Sequence, residues 1–177
     1  LGVDERGAVE EVLRAVRHIG PSKASELVER FGDKAIDRID ADPEAAFKKV
    51  SGLGGLRARE SAQSWKRLAP NRELHLLLAR HRVGHLVGKL ARELGRDALS
   101  KAQADPYGLT RVDGIGVRTA DAIARSVGID QRGPARARAV LVQVLKDASM
   151  RQGHVALPIE QARAAAMALA LEPPVQL

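Results

Sequence analysis

The sequence contains no cysteine and very few aromatic residues. Its 177 residues include one Trp, one Tyr and two Phe. Without cysteine, the chain has no disulfide, no thiol nucleophile and no cysteine-ligated zinc or iron–sulfur site. Four dispersed aromatics are also too few for the row of stacking platforms typical of single-strand-specific binders. Aliphatic side chains must fill the core, a composition that suits packed short helices.

Long apolar runs are missing as well. No segment approaches the roughly 20 apolar residues that a membrane-spanning helix needs. The chain begins at Leu1 without an initiator Met or the pattern of a signal peptide. We therefore expect no membrane association and a cytoplasmic location, and we interpret the chain as a fragment of a longer protein.

Positive charge is in excess, but it is unevenly distributed. The formal net charge is +7 and the pI is about 10.2, which favours a polyanionic partner. Residues 1–50 contain 9 basic residues (Lys and Arg) and 11 acidic residues (Asp and Glu). The basic and acidic counts are 10 and 4 in residues 51–99, and 10 and 7 in residues 100–177. Solvated helix faces carry such charges too, so composition alone leaves both interpretations open.

The pattern of apolar residues predicts an all-α fold built from a duplicated unit. Gly and Pro interrupt short apolar-periodic segments, and alternation with period two is nearly absent. Two Asp-Pro pairs, each expected to open a helix, lie 63 residues apart at positions 42–43 and 105–106. Val50-Ser51-Gly52-Leu53-Gly54 matches Val112-Asp113-Gly114-Ile115-Gly116. We predict two repeats of about 63 residues, at residues 1–68 and 69–131, followed by carboxy-terminal helices at residues 132–177.

Each predicted repeat has two tight turns between helices. Glycines in such a turn permit a positive φ or a close backbone approach, and the next helix offers free N–H groups at its positive end, where an anion binds. Four residues after each turn stands a small residue, Ala24, Ala58, Gly88 or Ala120, where two helices must pass closely. We name the turns hairpins 1 to 4, respectively His18-Ile19-Gly20, Gly52-Leu53-Gly54, Arg82-Val83-Gly84 and Gly114-Ile115-Gly116.

Hairpins 2 and 4 resemble the helix-hairpin-helix family, because both have Gly-apolar-Gly, three further residues and then Ala. The resemblance implies contacts between backbone amides and DNA phosphates. Side chains close to the hairpins are candidates for additional contacts. The amide contacts map onto Gly52, Gly54 and Leu56 and onto Gly114, Gly116 and Arg118, and the side-chain candidates are Arg57, Arg59, Arg118 and Thr119.

Hairpins 1 and 3 depart from the family pattern, because His18 and Arg82 replace the first glycine. A turn kept only for helix packing is the alternative at both positions. A binding role is kept open there by the candidate residues Gly20, Ser22, Lys23 and Lys89.

The order of motifs over nearly the whole chain resembles the amino-terminal helical region of RecD-like helicases, the type that works without RecB and RecC. That resemblance implies an ATPase motor in cis, 5′-to-3′ movement and a role in DNA repair or recombination. ATP and magnesium are then cofactors of the motor, and we expect none in this chain. The matching segments are residues 18–24, 31–33, 41–43, 50–54, 104–107, 113–121 and 153–158.

Catalytic machinery is not recognisable in the sequence. The nearest approach to a phosphate-binding loop, residues 84–90, is one residue short and ends in Leu90 instead of Ser or Thr. A helix-hairpin-helix lyase needs a Lys after the hairpin, whereas Arg118 and Thr119 stand there. His81 and His85 are separated by Gly84 within the hairpin and do not form a metal pair. We expect no catalytic and no metal-binding residue.

The sequence thus predicts a DNA-binding module with little base preference, whose partner is single-stranded, duplex or forked DNA. A structural spacer or protein-interaction domain of the same helicase is the alternative. The acidic first 50 residues and the departures at hairpins 1 and 3 motivate that alternative, which would give the chain a protein partner.

Overall fold

The computed structural model describes residues 3–153, 156–169 and 171–175, and within these ranges the regular elements are helices, with no strand. This confirms the predicted all-α fold. None of the described helices is long and apolar enough to cross a membrane. His154 and Val155, part of the last matching segment, lie outside the described residues. The chain divides into two compact units, Leu1–Gly95 and Arg96–Leu177.

In its described residues, the first unit has seven α-helices, several of which begin or end at a glycine, a proline or an Asp. Pro21 opens the second helix, and Gly32, at φ +59°, follows its last residue. Asp42 caps the fourth helix by accepting a hydrogen bond from the amide of Ala45 at 3.0 Å. The helices are α1 (Val3–Arg14), α2 (Pro21–Phe31), α3 (Ala35–Ala41), α4 (Pro43–Lys48), α5 (Gly55–Leu68), α6 (Arg72–Arg80) and α7 (Val87–Leu94).

Trp65 lies at the centre of a core that joins α1 to α5. Its ring meets Phe47 edge-on at 6.5 Å between centroids, and its indole N–H donates to Asp40 Oδ1 at 2.8 Å. The guanidinium of Arg72 stacks 3.9 Å from the centre of the Trp65 ring and also contacts Asp40. Phe47 and Trp65 therefore lie where α3, α4 and α5 converge.

The boundary between the compact units differs from the predicted boundary between the repeats. Helix α6 belongs to the second predicted repeat, yet it packs against α1, and Arg80 donates two hydrogen bonds to Glu5, at 2.7 and 2.8 Å. Residues 69–95 therefore join the first unit. A sequence repeat and a packing unit are separate divisions, so the repeats at 1–68 and 69–131 stay a prediction.

In its described residues, the second unit has four α-helices and one longer 3₁₀ helix. These are α8 (Ala98–Ala104), the 3₁₀ helix Pro106–Arg111, α9 (Val117–Ser126), α10 (Pro134–Gln152) and α11 (Ile159–Ala168). Asp105 opens the 3₁₀ helix by accepting from the amide of Gly108 at 2.9 Å. Helices α10 and α11 lie in the region where carboxy-terminal helices were expected.

A buried ion pair fixes α9 against α10. Arg136, 1% exposed, donates from Nε and Nη2 to the carboxylate of Asp121 at 2.8 and 2.7 Å. The hydroxyl of Tyr107 donates to the same carboxylate at 2.8 Å, and burial together with this bond raises the pKa of Tyr107. Arg136 also donates to the carbonyl of Pro173 at 2.6 Å. This network anchors hairpin 4 and the carboxy-terminal segment in one unit.

Candidate nucleic-acid interface

The first residue of every hairpin has a left-handed backbone. The φ angles are +67° at His18, +73° at Gly52, +61° at Arg82 and +102° at Gly114. Residues other than glycine rarely adopt this conformation, yet His18 and Arg82 do. The His and Arg replacements therefore leave the turn geometry in place. The departures from the family pattern at hairpins 1 and 3 are therefore departures in residue type and not in the backbone at this position.

The last residue of the hairpin separates hairpin 3 from the others. Gly20, Gly54 and Gly116 are extended N-cap residues, with φ between −69° and −89°, and an α-helix begins at the next residue. In hairpin 3, Gly84 instead enters a short 3₁₀ helix, Gly84–Leu86, whose N-cap is Val83. Three hairpins therefore present the amino end of an α-helix directly, and hairpin 3 does not.

Hairpin 2 has the most open helix terminus. The first helical hydrogen bond of α5 runs from the amide of Ala58 to the carbonyl of Gly54 at 2.9 Å, so the amides of residues 55–57 have no acceptor within the helix. Gly54 is exposed, and a Cβ built on it meets nothing within 4 Å. Leu56 is 73% exposed. The structure thus brings Gly52, Gly54, Leu56 and Arg57 together at an accessible tip.

Charged side chains surround hairpin 2. Arg57 is exposed, whereas Arg59 donates to Glu44 Oε1 at 3.3 Å and remains 66% exposed. The Nζ atom of Lys48 also lies 2.7 Å from Glu44 Oε1. The hydrogen bond that Lys48 donates is the main cause of the lowered pKa of the Glu44 carboxyl. Arg59 is therefore tied to α4 in this structure, while Arg57 faces solvent.

Hairpin 1 rests on helix α5. Its turn accepts and donates hydrogen bonds at Arg17, whose amide donates to Ser64 Oγ at 3.0 Å and whose carbonyl accepts from Ser61 Oγ at 2.8 Å. His18 Nε2 lies 2.5 Å from Glu60 Oε2, and the pKa of Glu60 is lowered chiefly by this contact. Helix α5 thus links the two hairpins, because it begins at hairpin 2 and supports hairpin 1.

The amide set of hairpin 1 is smaller than that of hairpin 2. The first helical bond runs from Ala24 to the carbonyl of Gly20 at 3.0 Å, and Pro21 has no N–H. Only the amides of Ser22 and Lys23 remain without an acceptor inside the helix. Gly20 and Ser22 are exposed and Lys23 is half-buried, so these predicted residues lie together.

Residues of α10 and α11 partly cover hairpin 4. The amide of Val117 donates to Gln143 Oε1 at 2.9 Å, so one of the free amides of α9 is already capped. Arg118 donates to the carbonyl of Leu169 at 2.7 Å. Thr119 is half-buried, and Gly114 is exposed beside a groove that Gln143 and Lys146 line. The predicted residues meet here, with less room than at hairpin 2.

Hairpin 3 is packed against α1. Gly84 is buried, and a Cβ built on it would lie 2.1 Å from Glu11 Oε1 and 3.2 Å from the Cα of Ala79. Gly88 is exposed, unlike the fully buried Ala24 and Ala58 at equivalent positions. Lys89 is half-buried on α7. This arrangement fits the packing alternative stated for hairpin 3.

Two features of the structure leave no recognisable signal in the sequence. Gln143 reaches Val117 across 26 positions, a contact that only tertiary packing creates. The second feature is a basic concavity, which the sequence does not reveal because acidic residues lie between its members along the chain. Its lining residues are Arg30, Phe31, Lys34, Arg38 and Lys49. Among the described residues, no group of His, Asp or Glu has the geometry to hold a metal ion.

The comparison with protein families concerns the part of the chain that contains hairpins 3 and 4. Residues 69–156 match the family described as ATP-dependent RecD2 DNA helicase HHH domain. The chain is also 29% identical, over 163 residues and 90% of its length, to an ATP-dependent RecD2 DNA helicase of Deinococcus radiodurans, and it spans 22% of that relative's length. No solved structure is significantly similar to the chain. These two matches support a helix-hairpin-helix region related to RecD-like helicases, in agreement with the left-handed hairpins and the all-helical fold.

Proposed function

We propose that this chain is a non-catalytic module that binds DNA through backbone phosphates, with little preference for sequence. The open amino end of α5 at hairpin 2 carries the proposal. Three amides there lack an acceptor within the helix, the N-cap glycine is exposed, and the helix dipole adds positive potential. A phosphate oxygen satisfies such amides without reading any base edge.

Hairpin 1 supplies the second contact in this proposal. Because α5 connects both hairpins, a phosphate at each is held at a fixed separation, which favours a regular backbone over isolated anions. Hairpin 4 is a weaker third site, since Gln143 already occupies the amide of Val117. Hairpin 3 serves packing.

The relation to RecD2 helicases extends the proposal to the whole protein. We infer that an ATP-driven, 5′-to-3′ motor in cis, working with magnesium in the cytoplasm, is the partner of this module in DNA repair or recombination. The chain then grips or guides the substrate, while the motor supplies all catalysis.

The test is fluorescence-anisotropy titration of single-stranded, duplex and forked DNA over a series of salt concentrations. Gly20→Ala/Gly54→Ala is the test variant, because a Cβ at either position meets nothing within 4 Å and neither φ is positive. Gly7→Ala in α1 is the matched control, since its Cβ also meets nothing within 4 Å.

Phosphate contact at these two hairpins predicts that the double variant binds duplex DNA at least about tenfold more weakly, since a hydrogen bond to a charged group contributes about 1.5–3 kcal/mol. The logarithmic salt slope, which counts phosphates neutralised by Lys and Arg, should change little. The control should keep the affinity of the unsubstituted chain. A double variant that stays helical and binds as tightly as the control would contradict phosphate contact at these hairpins.

A spacer or protein-docking role is the second candidate, and the covering of hairpin 4 by α10 and α11 favours it for the second unit. No binding to any DNA form at low salt, together with a stable complex with a protein partner, is the result this role predicts.

A further inference from the structure

A strongly basic concavity lies on the first unit, away from the hairpin glycines. Its wall is formed by the end of α2, the short 3₁₀ helix Gly32–Lys34, α3 and the residue after α4. Four of its five lining residues are cations, and no carboxylate lines it. The lining residues are Arg30, Phe31, Lys34, Arg38 and Lys49.

This clustering is unexpected from the local composition. Acidic residues outnumber basic ones by 11 to 9 in residues 1–50, yet four of those nine cations converge on one surface. Lys34 and Arg38 are exposed, and within the described part of the chain neither forms an ion pair. Like charges gathered without counterions repel one another, and an anionic ligand removes that repulsion.

The remaining cations are held in place by contacts inside the unit. Arg30 donates to Glu26 Oε1 at 3.3 Å, and the ammonium of Lys49 stands 5.9 Å from the centre of the Phe31 ring. Two of the four cations are thus positioned by contacts within the unit, and all four lie on or directly after helical elements.

The concavity is continuous with hairpin 2. Glu26, which holds Arg30, also accepts from the amide of Ser51 at 3.2 Å, and Ser51 directly precedes Gly52. Lys49 lies three residues before Gly52 on the same chain segment. We therefore expect a DNA strand held on the amides of α5 to pass beside this surface.

We propose that this basic concavity is an additional phosphate site, which binds a backbone phosphate of the same DNA strand that hairpin 2 holds. The inference rests on the proposed function, because the ligand is DNA. A free polyphosphate offers the same chemistry, and the two sources are distinguished experimentally.

The test compares two charge-matched double variants of the 177-residue chain in the anisotropy assay. Lys34→Gln/Arg38→Gln removes two charges from the concavity and breaks no ion pair of the described residues. Arg92→Gln/Arg96→Gln removes two exposed charges at and just after the end of α7, which follows hairpin 3, the hairpin assigned to packing. Each variant changes the net charge equally, so bulk electrostatics affects both.

A phosphate held at the concavity predicts that Lys34→Gln/Arg38→Gln lowers the salt slope by about 1 and weakens duplex binding about eightfold at 0.1 M salt, as the loss of one neutralised phosphate implies. Arg92→Gln/Arg96→Gln should change affinity less than twofold. Equal losses in both variants, or no loss in the first, overturn the proposal.

Two NMR titrations separate the two phosphate sources. The Nε–Hε resonances of Arg30 and Arg38 are followed by NMR during addition of a 12-base-pair duplex or of tripolyphosphate. Larger shifts at lower concentration with the duplex support the DNA assignment, and the reverse order overturns it. The proposed function has a separate outcome: hairpin variants that bind like the unsubstituted chain while the concavity variant is weakened refute the hairpin contacts and leave the concavity standing.

Discussion

Replacing Asp121 with Ala is predicted to destabilise the second unit more than any surface substitution, because it leaves Arg136 buried without its counterion. Arg136 is 1% exposed and Asp121 is 5% exposed, so neither charge is screened by water. Breaking such a pair from one side costs about 3–5 kcal/mol. The hydroxyl of Tyr107 also loses its acceptor, and we expect a total near 4 kcal/mol, since these losses overlap.

The assay is urea unfolding followed by circular dichroism, with thermal unfolding as a second readout. A loss of this size lowers the Tm of a chain of this length by about 10 °C. Glu160→Ala is the control, because its partner Arg163 is 3.7 Å away and the two side chains are 80% and 52% exposed, and it should change the unfolding free energy by less than about 0.5 kcal/mol.

A rescue variant separates the ion pair from simple loss of volume. Tyr107→Phe/Asp121→Leu/Arg136→Met replaces the whole network with apolar groups, and it should recover much of the lost stability, because no charge is left buried. The reasoning fails if Asp121→Ala costs less than about 1 kcal/mol, or if the triple variant is no more stable than the single one.

Two further predictions concern the first unit. Gly84→Ala should lower the unfolding free energy by about 1–3 kcal/mol, since its Cβ lies 2.1 Å from Glu11 Oε1 and 3.2 Å from the Cα of Ala79; urea unfolding checks this, and Glu11→Ala as a second substitution should restore part of the loss. Burial lowers the pKa of His75 from its ordinary 6.5. As the pH falls, His75 is therefore protonated more readily in the unfolded chain than in the folded chain, and the free energy of unfolding must fall as the pH drops through about 6.5. Unfolding at pH 7 and pH 5 measures this, and His75→Leu should reduce the difference, whereas an unchanged difference would assign the effect to other groups.

The hairpins and helix ends were predictable because their causes are local. The left-handed backbone at Gly52 and Gly114 and the terminating Gly32 follow from residue type at single positions. The cap at Asp42 is equally local. The sequence pattern therefore placed the turns correctly without any knowledge of how the helices pack.

Tertiary packing decided what the sequence pattern left open. Hairpins 1 and 3 share the loss of the first glycine, but the helix start after Gly20 and the packing of Gly84 against Glu11 separate them. The extension of the first unit to Gly95 depends on α6 meeting α1, a contact between distant segments. Asp121 belongs to a matching motif, yet its visible role is to hold Arg136, which no spacing reveals.

The most direct test of the central claim is NMR mapping of the backbone amides of this chain during titration with a short duplex. Phosphate binding at helix amino ends predicts the largest amide shifts at Ser22 and Lys23 and at residues 55–57, with residues 84–88 nearly unmoved. Binding that leaves residues 55–57 unmoved, or that shifts hairpin 3 most, would contradict the account.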